Sequence, residues 1–281
     1  MRDSLRPGGV AGNGTDERAA APLMTVEGIY LSFSGVVALD EVSLSVPSGA
    51  LFAVIGPNGA GKTSLFNCMS GVYRPERGSI RFQGTELTTE RTHRIASLGL
   101  ARTFQNIALF GQLSVLENML VGRHHHFRSP WWSDGWRLPR SRREEVSHRA
   151  RVEEVIEFLD LESVRNVPAQ ILPYGVLKRV ELGRALSMDP ALLLLDEPAA
   201  GLNQEETEEM ARYILDIKEE LGVTQLLIEH DLRFVLDLAD RVAVLDFGRK
   251  IAEGDPRSIR QNPAVVEAYL GVGAGDGEGR R

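Results

Sequence analysis

The sequence predicts an α/β fold: strand-rich halves around a buried sheet, with an all-helical block inserted between them. Three observations carry this. The apolar run Leu51 to Ile55 feeds the glycine-rich stretch Gly56-Pro57-Asn58-Gly59-Ala60-Gly61-Lys62-Thr63 and then the helix-like Ser64-Leu65-Phe66-Asn67. Leu192 to Leu195 and Gln225 to Ile228 are short apolar runs, as expected of strands covered on both faces, and they end in Asp196-Glu197 and Glu229-His230-Asp231. From Ser114 to about Met188 the apolar spacing turns helical.

In order along the chain, residues 1–22 hold Arg, Gly, Ala and Pro without an apolar segment and are read as a disordered tail, not a signal peptide. Val26, Ile29, Leu31 and Phe33, then Val42, Leu44 and Val46, give two alternating strands separated by Ser34-Gly35. Phe33 reads equally as strand core or as a site aromatic. Ser79 to Phe82 is another short strand, Ile95 to Leu98 a helical turn, and Leu100 to Gln105 a strand with Gln105 at its end. Ser114-Val115-Leu116-Glu117 is a capping box. Asn203 caps a long amphipathic helix carrying Met210, Tyr213, Ile214 and Ile217 on one face, and Asp231 caps the next helix. Val242 to Ala252 is a hairpin and Pro263 to Leu270 a last helix, which leaves 271–281 as a flexible tail.

Composition bounds the function. The 281 residues are 43% apolar and 25% charged, ordinary for a globular protein, and the net charge of −7 argues against a surface that grips nucleic acid. The single cysteine, Cys68, reads as a buried thiol. No apolar run reaches the roughly 18 residues needed to cross a bilayer, so a membrane role would act through a partner.

The chemistry concentrates in a few stretches. Gly56 to Thr63 fits the phosphate-loop pattern G-x-x-x-x-G-K-S/T in its strand–loop–helix setting. Glycines let backbone N–H groups close around phosphate oxygens, Lys62 would reach the β- and γ-phosphates, and Thr63 would place its hydroxyl on Mg²⁺. Asp196 and Glu197 directly end a buried strand, where side chains enter a ligand crevice. His230 ends the neighbouring strand. Tyr174-Gly175 begins a helix and offers a second set of N–H groups to an anion. His124-His125-His126, with Trp131, Trp132, Trp136 and the arginines from Arg137 to Arg143, admits three readings: a metal site, a partner surface, or a solvated loop with an aromatic plug. Consecutive histidines do not face one way on a helix, which disfavours the first.

The order of these parts resembles the ATP-binding subunit of ABC transporters: the phosphate loop Gly56 to Thr63, Gln105 after Arg102-Thr103-Phe104, a signature loop at Leu172 to Arg179, Leu192 to Glu197, Gly201-Leu202-Asn203 and His230. Ala101 to Asn106, Leu116-Glu117-Asn118, Asp196 to Asn203, Ile228 to Asp231 and the ending Asn262-Pro263 to Tyr269-Leu270 are similar to the branched-chain amino acid importer ATPases. The resemblance implies a P-loop NTPase core with a mixed sheet, an antiparallel β subdomain and an inserted α-helical subdomain. The ATPase domain would span 23–270, with 23–105 and 190–270 as catalytic core and 106–189 as helical subdomain.

It also implies roles. Phe33 would stack on adenine, and Gly56, Pro57, Asn58, Gly59, Ala60, Gly61, Lys62, Thr63 and Ser64 would hold the phosphates of ATP. Thr63, Gln105 and Asp196 would serve Mg²⁺. Glu197 would polarise the attacking water as general base, with Gln105 sensing it and His230 contacting the γ-phosphate. Tyr174 and Gly175 would complete the site of a second ATPase subunit, in a homodimer or a related heterodimer. The chain would lie at the cytoplasmic face of the membrane, dock on integral permease subunits, and serve an extracellular solute-binding protein indirectly. The alternatives are a urea or amide importer ATPase and an ABC ATPase without a transport role.

The signature loop departs from Leu-Ser-Gly-Gly-Gln: Pro173 replaces the serine and Val176 the glutamine. Losing one hydrogen bond to a charged group costs roughly 1.5–3 kcal/mol. Closure of the shared site is therefore expected to lean on main-chain donors.

Overall fold

The computed structural model describes residues 22–105, 107–124 and 139–274. Strand alternation builds its first sheet. β1 (Met24–Phe33) and β2 (Val36–Val46) pair antiparallel across Ser34 and Gly35, whose φ values of 49° and 87° give the doubly left-handed turn that suits a two-residue hairpin. The apolar spacing slips between Val26 and Ile29 because the register shifts there, around Gly28 with φ of 58°. β4 (Arg77–Phe82) and β5 (Thr85–Glu86) complete a four-stranded sheet in the order β2-β1-β4-β5.

The second sheet has six strands in the order β10-β9-β3-β8-β7-β6, formed by β3 (Leu51–Ile55), β6 (Leu100–Arg102), β7 (Leu192–Asp196), β8 (Thr224–Ile228), β9 (Arg241–Asp246) and β10 (Arg249–Gly254). β10 pairs antiparallel with β9, and the other pairings are parallel, so the sheet is mixed as expected. The apolar runs are buried on both faces: Leu193 and Leu195 enter one core, Leu192 and Leu194 the other. The first core joins the sheet to the later helices, and the second joins it to α1 (Lys62–Met69), α2 (Thr92–Ser97) and the antiparallel sheet. Register aligns Val54 with Ile228 and Ile228 with Asp196. The carboxyl ends of β3, β8 and β7 therefore lie level and deliver Gly56, Glu229 and Glu197 to one edge.

Helix α1 follows the loop, and α2 precedes β6. Between β6 and β7 come α3 (Val115–Gly122), α4 (Pro139–Phe158) and α5 (Tyr174–Leu186), with no intervening strand among the described residues. They lock to the chain before β7 through Asp189. Burial raises its carboxyl pKa, but Arg123 and Arg151 outweigh that and hold it below the usual range. α6 (Gln204–Glu219), α7 (Leu232–Leu238), α8 (Pro256–Arg260) and α9 (Pro263–Ala274) complete the chain. The expected caps are present: Ser114 and Asn203 form capping boxes, and Asp231 accepts from the N–H groups of Arg233 and Phe234.

Two of the boundaries that differ from expectation bear on the site and on the chain end. β6 stops at Arg102, short of Gln105, because the Thr103 hydroxyl accepts from the Asp196 N–H at 3.2 Å in place of a ladder carbonyl. α9 runs past Leu270 to Ala274, so the first part of the expected tail is helical, while 275–281 and 1–21 lie outside the described residues. No helix among the described residues is long and apolar enough to cross a membrane.

Cys68 is 1% exposed on α1, and burial pushes its thiol pKa up to about 12. A disulfide-exchange reagent at pH 8 should leave the folded chain unlabelled and react fully after denaturation; prompt labelling of the folded chain would contradict this packing. Replacing Asn203 with Ala should cost about 1 kcal/mol in chemical denaturation, the usual value of an N-cap.

Candidate functional site

The loop after β3 is built by close approach as much as by openness. A Cβ on Gly56 would come within 2.1 Å of the Leu245 carbonyl oxygen on β9, and one on Gly61 within 2.6 Å of the Ala38 carbonyl oxygen on β2. Both sit at positive φ, 152° and 97°. The Gly248 N–H donates to the Ala60 carbonyl at 3.1 Å, while the Asp40 N–H donates to the Gly248 carbonyl at 2.8 Å. The turn between β9 and β10 thus braces the loop from behind. Pro57, Asn58 and Gly59 form its outer rim, with Asn58 and Gly59 exposed.

Gly61 heads α1 without a side-chain cap, and no acidic residue occupies the first turn, so the helix N–H groups are left for an external anion. Thr63 is exposed and Ser64 half-buried on that turn. The Lys62 amine folds back onto its own loop, donating to the Gly56 carbonyl at 2.6 Å and the Pro57 carbonyl at 3.0 Å. Burial lowers its pKa, opposed by the fields of Glu197, Asp196 and Glu229. These features fit a bound polyphosphate.

The carboxyl end of β7 carries the acids. Asp196 is buried and paired with Arg102 at 2.8 Å. Glu197 adopts φ of 49°, a left-handed conformation rare for a residue with a side chain. Its N–H donates to the Ile228 carbonyl at 3.0 Å, and its carbonyl accepts from Ala200 N–H at 3.2 Å and from Lys178 Nζ at 3.3 Å. Gln105 donates from Nε2 to Glu197 Oε2 at 3.0 Å. Thr63, Asp196 and Gln105 present only oxygen ligands, the kind that Mg²⁺ takes. No cluster of three or more His, Cys, Asp or Glu suited to a metal occurs among the described residues. A cation here would therefore depend on mixed oxygen donors, phosphate and water. The histidine run is only partly visible: His124 is exposed after α3, and His125, His126, Trp131, Trp132 and Trp136 lie outside the described residues.

His230 stands 58% exposed beside buried Glu229, with Nδ1 at 3.7 Å from Oε2. Glu229 accepts from the Ala199 N–H at 3.1 Å and the His230 N–H at 3.2 Å, and burial holds its pKa above the usual carboxylate range. Phe33 is 43% exposed rather than core, set edge-on to Tyr73 at 5.1 Å. These two rings give a half-open aromatic surface.

The start of α5 separates its two expected contacts. Tyr174 is 44% exposed and donates its hydroxyl to the Ala200 carbonyl at 3.3 Å. Gly175 is buried, and a Cβ there would meet Glu206 Oε1 at 2.3 Å. Glu206 also accepts from the Asn203 N–H to close the cap of α6. The signature segment is thereby fastened to the residues that follow Glu197. Pro173 occupies the N-cap, with φ of −58° and ψ of 153°, and contributes no side-chain cap.

Sequence reasoning passed over Glu229, Arg102, Tyr73 and Lys178 as site residues. Arg102 and Glu229 sit inside stretches singled out for their neighbours. Lys178 likewise lies inside the signature loop, but nothing in the local pattern marks its bond to the Glu197 carbonyl, 19 positions away.

A strand–loop–helix phosphate cradle faced by Asp196, Glu197 and Gln105, with a helical block between β6 and β7, defines a nucleotide-binding cassette. The chain belongs to the ABC transporter family, whose model matches residues 39–200; a model of the branched-chain amino acid ATP-binding cassette transporter matches 249–275. It is 40% identical over 250 residues to the high-affinity branched-chain amino acid transport ATP-binding protein BraF of Pseudomonas aeruginosa, covering 89% of this chain and 98% of that one. Identity to LivG of Salmonella typhimurium, which carries the same description, is 39% with the same coverage. Among solved structures, the ADP conformation of an ABC transporter cassette superposes with a TM-score of 0.78 at 31% identity, covering 90% of this chain and 100% of that one.

The raised carboxyl of Glu229 gives a signed prediction. An acid with a raised folded pKa stabilises below its unfolded pKa and loses that contribution as pH rises through the folded value. The melting temperature of Glu229→Gln relative to wild type should therefore climb as pH rises from the acid range. A difference flat in pH would contradict the assignment.

Proposed function

We propose that this chain is the ATP-hydrolysing subunit of an importer for branched-chain or related amino acids. The observation that carries the reading is the convergence at one sheet edge of a phosphate cradle, a general-base candidate in a constrained backbone, and an amide on that base. The amino-acid class is supported by the curated relatives and by the carboxyl-terminal match over 249–275.

Gly56 to Ser64 would seat the phosphates of ATP, with Phe33 and Tyr73 against the adenine. Mg²⁺, held through Thr63, Asp196 and Gln105, would neutralise charge on the β- and γ-phosphates. Lys62 would exchange its carbonyl partners for phosphate oxygens. Glu197 would take a proton from the attacking water while Gln105 orients the carboxylate, and His230 would hold a γ-phosphate oxygen. The work is positioning and charge neutralisation, as in phosphoryl transfer generally. Tyr174 and the α5 amino end would complete the site of a second ATPase subunit. Because that segment is tied to Ala200 and Glu206, closure of one site would report on the base of the other. The chain would act at the cytoplasmic face of the membrane on permease subunits, with the solute supplied by an extracellular binding protein.

Glu197→Gln should lower kcat by about 10²- to 10⁴-fold, the contribution of general base catalysis, while ATP still binds. On size exclusion with light scattering, this variant with ATP should run as a dimer that wild type forms only transiently. A persistent monomer would count against the shared site. Uptake of labelled leucine in a deletion strain should be restored by the wild-type chain and not by this variant.

A further inference from the structure

Arg102 is the last residue of β6, and its side chain is only 8% exposed. Its guanidinium is a junction of three elements. Nη2 donates to Asp196 Oδ2 at 2.8 Å on β7, and Nη1 donates to Asn67 Oδ1 at 2.7 Å and to Ser70 Oγ at 2.9 Å, at the far end of α1. Two rings approach the group, the centroid of Phe66 at 5.7 Å and that of Phe104 at 5.4 Å. Its Nε is buried without a hydrogen-bond partner. A buried cation with an unsatisfied N–H is expensive, and an apolar side chain could fill the same space without that penalty. What an apolar residue could not do is fix the rotamer of a buried carboxylate and bind it to a second element. The planar fork does both at once, and Lys lacks that geometry.

We infer that Arg102 is a positioning residue for the metal site: its guanidinium sets the Asp196 carboxylate and ties it to the phosphate helix, so that metal ligation and loop seating share one anchor. This rests on the reading of Asp196 as a metal-serving carboxylate. Arg102 also lies three positions before Gln105. Displacement of the segment carrying Gln105 would therefore reach the metal carboxylate through β6.

The test separates metal binding from nucleotide binding in the full chain. ATP affinity is measured by calorimetry in EDTA, and Mn²⁺ affinity at saturating ATP by electron paramagnetic resonance. Arg102→Lys, which keeps the charge and loses the fork, should weaken Mn²⁺ about tenfold, the scale of a lost orienting partner, with ATP affinity in EDTA within roughly twofold of wild type. The double substitution Asn67→Ala with Ser70→Ala spares the ion pair and cuts the tether to α1. It should shift Mn²⁺ affinity in the same direction by less, and it reads the same quantity if Arg102→Lys does not fold. Unchanged Mn²⁺ affinity in the folded variants, or a parallel fall in both affinities, overturns the inference in favour of a purely structural arginine. Asp196→Asn is the control: if it leaves Mn²⁺ binding intact, the metal-site reading itself fails, whereas a loss there without an effect of Arg102→Lys removes only the role of Arg102.

Discussion

The Lys62 amine is the charge around which the site is balanced. Burial works against its protonation, and Asp196, Glu197 and Glu229 work for it. The dependence runs both ways, because three acids at adjoining strand ends repel one another without the amine and Arg102 among them. Their common level is set by the parallel register of β3, β8 and β7, and that register is set by strands apolar on both faces. A bound polyphosphate would draw Lys62 off the Gly56 and Pro57 carbonyls. It would then leave the acids in need of a cation, which is the physical ground for expecting metal and nucleotide together.

Around this centre the structure trades local comfort for placement. Glu197 keeps a left-handed backbone because the Ile228 carbonyl, Ala200 N–H and Lys178 amine hold it from three sides. Gly56 and Gly61 are required by the carbonyls of Leu245 and Ala38, so the loop shape depends on β9 and β2 as much as on any ligand. The start of α5 is bound to the segment that leaves Glu197. The helical block and the segment after the base are thus in direct contact, an arrangement suited to passing motion between a nucleotide site and a partner.

What could be read from the sequence was what short-range chemistry encodes. The phosphate loop, the caps at Ser114, Asn203 and Asp231, and the doubly buried strands are all patterns within a few residues. Phe33 could be either core or site by alternation alone, and its exposure is decided by the end of the β1–β2 hairpin and by Tyr73. The strand carrying Arg102 was read too long because Thr103 substitutes a hydroxyl for a backbone acceptor, which no periodicity reveals. The contacts of Arg102 with Asn67, Ser70 and Asp196, and of Gly175 with Glu206, join distant parts of the chain. They follow from packing and not from any local signal.

The proposed exchange by Lys62 of its loop carbonyls for phosphate is open to a direct measurement. Calorimetric titration of Lys62→Met with ATP in the absence of metal measures that exchange alone. Binding should weaken by a factor on the order of 100, the loss of a charge-assisted contact or two. Affinity within a factor of about two of wild type would contradict it, since the amine would then be a packing feature of the empty loop and not its phosphate ligand.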